Sequence, residues 1–218
     1  MIGHGLSMDY DVSSYSFSES INYIEKIIEE LNLKKVNILG YSLGGRLAMQ
    51  FAIKNQHQVN KMILCSSSFG IEKKSERISR IRSDEKIIEL LINENLEKFV
   101  NFWQNIPLWE SEKKLPVEIK SKHRRIRLEQ KNEGLLLNLR YQGQGVQKYL
   151  GKSLKNIKLK TLIMYGGKDL KYKVISKKMI KLIENSELCE VPNSGHNIVL
   201  EHPIYISQKI KSFILGEN

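Results

Sequence analysis

The segment from Val36 to Cys65 restricts the fold more than any other part of the chain. An apolar run, Val36-Asn37-Ile38-Leu39, meets Gly40, a helical pattern follows from Gly45 to Asn55, and Lys61 to Cys65 is a second strand-like run that ends in Ser66-Ser67-Ser68. Strand, helix and strand at this spacing predict a parallel βαβ unit, because parallel neighbours need a crossover long enough to hold a helix. Gly40-Tyr41-Ser42-Leu43-Gly44, a G-x-S-x-G pentapeptide, lies at the join of the first strand and the helix. In that setting the small residues let the chain turn sharply and lift the Ser42 hydroxyl out of the sheet. The helix N-terminus behind it favours a developing negative charge, which makes the Leu43 amide a candidate oxyanion donor. A glycine-rich turn with an incidental serine is the competing reading. The strand-to-helix placement favours the nucleophile.

The rest of the chain extends this unit. Ile21, Ile24, Ile27, Ile28 and Leu31 recur at helical spacing between charges, predicting an amphipathic helix from Glu19 to Leu31. From about Phe69 to Leu154 strand-like runs disappear and charge rises. Ser83 is predicted as an N-cap, followed by Asp84 and Glu85 and the stripe Ile87, Ile88, Leu91 and Ile92; Leu96, Phe99, Val100 and Trp103 form a second stripe that stops near Pro107. The βα pattern then resumes, with Thr161 to Tyr165 and Leu188 to Val191 as strands, a helix through Val174 to Ile183, and a last helix opened by Pro203. The predicted class is α/β, a mostly parallel sheet with residues 1–68 and 155–218 as core and 69–154 as a helical cap insertion. Such sheets bind ligands beyond the carboxyl ends of their strands, and the insertion is expected there.

A nucleophilic serine needs a base, and the base needs an orienting acid. Asp169 follows one predicted strand in Tyr165-Gly166-Gly167-Lys168-Asp169, and His196 follows the next in Pro192-Asn193-Ser194-Gly195-His196. The chain order is therefore serine, acid, histidine, the order of the α/β-hydrolase arrangement. His57, His123 and His202 have no comparable setting, and His4, in Gly3-His4-Gly5, is expected in a loop beside the site.

Charge narrows the ligand. The 218 residues hold 35 Lys and Arg against 24 Asp and Glu, a formal charge of +11. That balance suggests nucleic acid, a membrane surface or an anionic ligand. The lysines are scattered as on a solvated face, and no aromatic residues interleave a basic stripe, so nucleic acid is disfavoured. The arginines cluster instead. Arg46 lies one helical turn after Ser42 on the same face, Arg77, Arg80 and Arg82 crowd the start of the insertion, and Arg124, Arg125 and Arg127 its later part. Guanidinium groups suit a small polycarboxylate. Cys65 and Cys189 fit neither a disulfide framework nor a metal site, and are expected as buried thiols in a reducing compartment. No basic and then apolar leader opens the chain, and no apolar stretch reaches the roughly 20 residues of a membrane helix. The expected location is cytoplasmic, without membrane insertion or a metal, and the oligomeric state stays open.

Gly40-Tyr41-Ser42-Leu43-Gly44-Gly45-Arg46-Leu47-Ala48 resembles the nucleophile elbow of the 2-succinyl-6-hydroxy-2,4-cyclohexadiene-1-carboxylate synthases, the pyruvate-eliminating lyases of menaquinone biosynthesis, which have the α/β-hydrolase fold. Arg77-Ile78-Ser79-Arg80-Ile81-Arg82-Ser83-Asp84 is similar to their arginine-rich cap entrance, and Phe99 to Leu108 to their aromatic cap segment; Arg127-Leu128, Gly134 to Gly145, Gly166-Gly167-Lys168-Asp169 and Gly195-His196 also match. The resemblance implies Ser42, Asp169 and His196 as the triad, Arg46, Arg80 and Arg127 on substrate carboxylates, with Arg124 as the alternative to Arg127, Trp103 lining the pocket, and no cofactor. Gln104 stands where some members have tyrosine. Family members also carry strands before a Gly-His-Gly-x-Ser loop, with a His-Gly-aromatic turn supplying a second oxyanion amide. This chain starts at that loop, Met1-Ile2-Gly3-His4-Gly5-Leu6-Ser7, so the expectation is a sheet short of its N-terminal part, with Val36 to Leu39 as an unpaired apolar edge. The alternatives are an esterase or thioesterase on the same triad and an inactive truncated fragment.

Overall fold

The structure, a computed structural model, describes residues 1–8 and 11–217. Its elements run α1 (Phe17–Glu30), β1 (Val36–Tyr41), α2 (Leu43–Lys54), β2 (Val59–Cys65), α3 (Lys74–Asn93), α4 (Leu96–Trp103), α5 (Val117–Leu128), α6 (Asn132–Gln142), α7 (Gly151–Leu154), β3 (Lys160–Gly166), α8 (Leu170–Met179), β4 (Ser186–Val191), α9 (Ile198–Glu201) and α10 (Pro203–Leu215). Two compact units result, one of Ile24–Phe69 with Leu150–Asn218, the other of Met1–Tyr23 with Gly70–Tyr149. The expected core segment 1–68 is thus divided, with its first 23 residues grouped in the helical unit. The reason is tertiary. Gln142 Nε2, on α6, donates to the Tyr15 carbonyl at 2.8 Å and to Ser20 Oγ at 2.6 Å, and Gly3 lies against the Gly134 backbone.

The sheet unit holds four parallel strands in the order β1-β2-β3-β4. Central strands of a parallel sheet are covered on both faces, so they read as continuous apolar runs. Met62-Ile63-Leu64-Cys65 of β2 and Leu162-Ile163-Met164-Tyr165 of β3 are buried throughout. The outer strands alternate instead, and Leu39 of β1 is 48% exposed. On one side of the sheet Ile63, Cys65, Leu162 and Met164 pack with Val191, Ile198, Ile206 and Phe213. Fully burying one such side chain stabilises by about 1.5–3 kcal/mol. Lys61 Nζ donates to the Phe213 and Ile214 carbonyls at 2.9 and 2.8 Å, closing the C-terminal end of α10 with a cation. Burial pushes the Cys65 thiol up to about 12. Cys189 is only half-buried, contrary to expectation, because it sits on the edge strand β4.

The helical unit, built by itself on α3 to α6, packs Leu91, Phe99 and Val100 with Ile87, Leu90, Leu96, Trp103, Leu128, Leu135 and Leu136. Ser83 does not begin a helix. It lies inside α3, where its hydroxyl donates to the Ser79 carbonyl at 3.0 Å, the four-residue back-bond that lets serine persist in a helix interior. The arginine run and the apolar stripe after it therefore share one 20-residue helix. Among the described residues no helix is long and apolar enough to cross a membrane, and no group of three or more His, Cys, Asp or Glu could hold a metal ion.

Candidate active site

Because all four strands are parallel, the turns that leave β1, β3 and β4 emerge at the same edge of the sheet. Those turns carry Ser42, Asp169 and His196. Ser42 has φ +47° and ψ −107°, a conformation that costs a side-chain-bearing residue about 1–3 kcal/mol. Three contacts hold it there. Its amide donates to the Cys65 carbonyl at 2.8 Å, its carbonyl accepts from Ser67 Oγ at 2.9 Å, and Gly40 approaches the Gly44 backbone so closely that a Cβ has no room. The motif's glycines are therefore unequal, since a Cβ on Gly44 would meet open space.

Asp169 does two things with one carboxylate. Oδ1 accepts from the Tyr172 amide at 3.1 Å, capping the N-terminus of α8, while Oδ2 lies 2.8 Å from His196 Nδ1. Because a carboxylate only accepts, Nδ1 carries the ring proton and Nε2 presents its lone pair. Nε2 lies 3.1 Å from Ser42 Oγ, so the serine hydroxyl donates to it. His196 is 2% exposed, and its ring packs against those of Tyr172 at 4.3 Å and Tyr41 at 5.6 Å between centroids. The acid and base loops are also joined through main chain, Gly167 N–H to Val191 O at 2.9 Å and Lys168 N–H to Ser194 O at 2.8 Å. Gly166 packs so tightly on the Gly195 and Ser194 carbonyls that no side chain fits. Beyond the loops, Glu190 accepts from the Tyr165 hydroxyl at 2.7 Å and pairs with Lys173 at 3.0 Å. The Tyr165 bond and Lys173 hold the Glu190 carboxyl below its ordinary range, and burial followed by the Glu190 bond raises the Tyr165 phenol to about 12.

Leu43 is the first residue of α2, so its N–H belongs to the helix-terminal set that has no carbonyl within the helix to accept it. Arg46 is half-buried one turn further on, and its amide donates to the Ser42 carbonyl at 3.2 Å. Arg80, Arg127 and Arg124 lie in the helical unit, each with an acidic partner there. Arg80 Nε donates to Asp84 at 2.8 Å and its Nη1 to Gln144. Arg127 donates to the buried Glu112 at 3.2 Å, with its guanidinium 5.5 Å from the centre of the Trp109 ring. Arg124, named as the substitute for Arg127, pairs with Glu97 and Asn101. Trp103 stacks on Phe99 and meets Trp109 at a tilt of 59°, with ring centres 6.2 Å apart. His4 is bonded to the Ile2 carbonyl at 3.3 Å, and its burial lowers its basicity.

Sequence reasoning passed over Tyr172, Ser67 and Glu190. A signal existed for the first, since a residue three after an acidic N-cap is the usual amide donor to it. Ser67 and Glu190 act across strands, and no spacing rule points to them.

Several comparisons bear on this geometry. Residues 1–147 match the family model of the α/β hydrolase fold. A Bacillus subtilis protein assigned as a 2-succinyl-6-hydroxy-2,4-cyclohexadiene-1-carboxylate synthase is 31% identical over 214 residues, 98% of this chain and 78% of that protein. The chloroplastic protein PHYLLO of Arabidopsis thaliana is 26% identical over 97% of this chain, which spans only 13% of that much longer protein. Among solved structures, MenH from S. aureus superposes with a TM-score of 0.94 at 33% identity, covering 99% of this chain and 81% of that one.

Proposed function

We propose that this chain, which belongs to the α/β hydrolase fold family and within it to the 2-succinyl-6-hydroxy-2,4-cyclohexadiene-1-carboxylate synthases, is a carbon–oxygen lyase of menaquinone biosynthesis. Its reaction is loss of pyruvate from 2-succinyl-5-enolpyruvyl-6-hydroxy-3-cyclohexene-1-carboxylate. The observation that carries the reading is the hydrogen-bonded line from Asp169 through His196 to Ser42, in a chain alike along almost its whole length to synthases of that reaction.

The chemistry follows from the protonation pattern. His196, held with its proton on the Asp169 side, accepts the Ser42 hydroxyl proton at Nε2 as Ser42 Oγ takes a proton from the cyclohexene ring. The carbanion charge spreads onto the neighbouring succinyl carbonyl, where the Leu43 N–H at the start of α2 donates to the enolate oxygen. The carbon–oxygen bond to the enolpyruvyl group then breaks. The departing enolate collects the abstracted proton and becomes pyruvate. Every step draws on side chains and main chain, so no cofactor enters it.

The substrate carries three carboxylates, which gives the arginines a task. We assign Arg46 to one of them, since it lies in the first turn of the helix that Ser42 precedes and its amide donates to the Ser42 carbonyl. Arg80 and Arg127, with Trp103, are assigned by resemblance to the family. A substrate carboxylate would take over guanidinium positions that now face Asp84, Gln144 and Glu112. The test is to offer the purified chain the enolpyruvyl substrate and, separately, simple neutral esters. Pyruvate release with slow ester cleavage supports the lyase. Fast ester cleavage without pyruvate would replace it with an esterase.

A further inference from the structure

We propose that Glu201 is a positioning residue for His196, acting as the lock on a glycine hinge immediately before it. The inference rests on the triad reading given above. His196 lies in the loop between β4 and α9, and no ladder or helix fixes the backbone there. Its neighbour Gly195 has no side chain and so is the freest kind of residue the loop could place at that point. Yet the ring must be held to two atoms at once, Asp169 Oδ2 at 2.8 Å and Ser42 Oγ at 3.1 Å.

The peptide unit joining Ser194 to Gly195 meets that demand through both of its polar groups. Its carbonyl accepts from Lys168 N–H at 2.8 Å, the residue before the acid Asp169. Its N–H donates at 2.9 Å to Glu201 Oε2. A peptide gripped at both ends cannot rotate, and a carboxylate acceptor makes the second grip about twice as strong as a neutral one. Glu201 can reach back six residues because α9 is a single short turn. Its own amide donates to the Asn197 carbonyl at 2.9 Å, and Asn197 Oδ1 caps the turn at Leu200 N–H. The first carboxylate after the histidine is thereby returned to the histidine's own loop.

The test uses the full chain and a fluorophosphonate probe, which reacts with a serine activated by a histidine base whatever the natural substrate is. Adduct formation on Ser42 is followed by mass spectrometry, with S42A as the unlabelled control. Glu201→Ala frees the hinge, and a ring displaced by about an ångström slows labelling by about 10- to 100-fold. Glu201→Gln keeps the length and an acceptor oxygen, and restores labelling to within about threefold of the wild type. In turnover, Glu201→Ala lowers kcat while KM stays within about twofold, because the hinge touches no substrate. If the alanine variant does not fold, Glu201→Asp, one methylene short of reach, takes its place in the same comparison. Labelling of folded Glu201→Ala at the wild-type rate would overturn the inference, as would Glu201→Gln as slow as Glu201→Ala. A wild-type chain left unlabelled at Ser42 would instead overturn the triad itself.

Discussion

Asp169 holds His196 with one oxygen and caps α8 with the other, and a single substitution separates the two. In Asp169→Asn the amide oxygen can still accept from Tyr172 N–H, and asparagine caps helices as well as aspartate does. The amide nitrogen then faces His196 Nδ1. It can only donate, so it selects the tautomer with the proton on Nε2, pointing at Ser42 Oγ, and the base is occupied. Loss of a general base costs about 10²- to 10⁴-fold, or about 2.7–5.4 kcal/mol of barrier. Asp169→Ala loses the base orientation and the cap together, and an absent cap costs about 1 kcal/mol, which for a chain of this size is about 2–4 °C in Tm. The expected pattern is a collapse of pyruvate release in both variants but a lowered Tm only in the alanine one, read by a coupled pyruvate assay and thermal unfolding. Two results would refute the reasoning: more than about a tenth of wild-type kcat in Asp169→Asn, or equal losses of Tm in the two variants.

Arg127→Met should destabilise the helical unit by about 3 kcal/mol, because it leaves the buried Glu112 carboxylate without its guanidinium, 3.2 Å away. Adding Glu112→Gln should recover most of that in urea unfolding; no recovery would mean that the pair is not the cause. Arg46→Ala should raise KM for the tricarboxylate substrate by about 10- to 100-fold, the worth of a charge-assisted hydrogen bond, and spare cleavage of a small neutral ester. Equal losses on both would remove Arg46 from the carboxylate role. Stability should fall as pH rises from about 9 toward 12, because the Cys65 thiol, pushed up to about 12 in the folded chain, stays protonated there while the unfolded chain ionises. The slope is at most about 1.4 kcal/mol per pH unit, and urea unfolding of Cys65→Ala should lack that part of it.

What the sequence could say about this chain depended on how locally each feature is encoded. The central strands were legible because burial on both faces writes itself as unbroken runs such as Met62 to Cys65. The serine, acid and histidine were legible because each sits at the turn that ends a strand, and parallel strands bring such turns to one edge. Ser83 misled because an N-cap and a serine bonding back inside a helix share their local sequence, and only the continuation of α3 on both sides tells them apart. The grouping of Met1–Tyr23 with the helical unit was hidden for another reason. It is held by bonds such as Gln142 to Tyr15, between residues 127 apart in sequence, and no periodicity reports those. The partners of the arginines divide in the same way. Arg80 with Asp84 is an ordinary four-residue helix pair, whereas Arg127 with Glu112 joins two separate segments.

The central claim is that Ser42, activated by His196, eliminates pyruvate from the enolpyruvyl cyclohexene substrate. It is tested most directly by mixing the purified chain with that substrate and following pyruvate through its reduction by lactate dehydrogenase, beside Ser42→Ala at equal concentration. The account predicts stoichiometric pyruvate with the wild-type chain and release at the uncatalysed rate with Ser42→Ala. Pyruvate formed equally fast by both would contradict it.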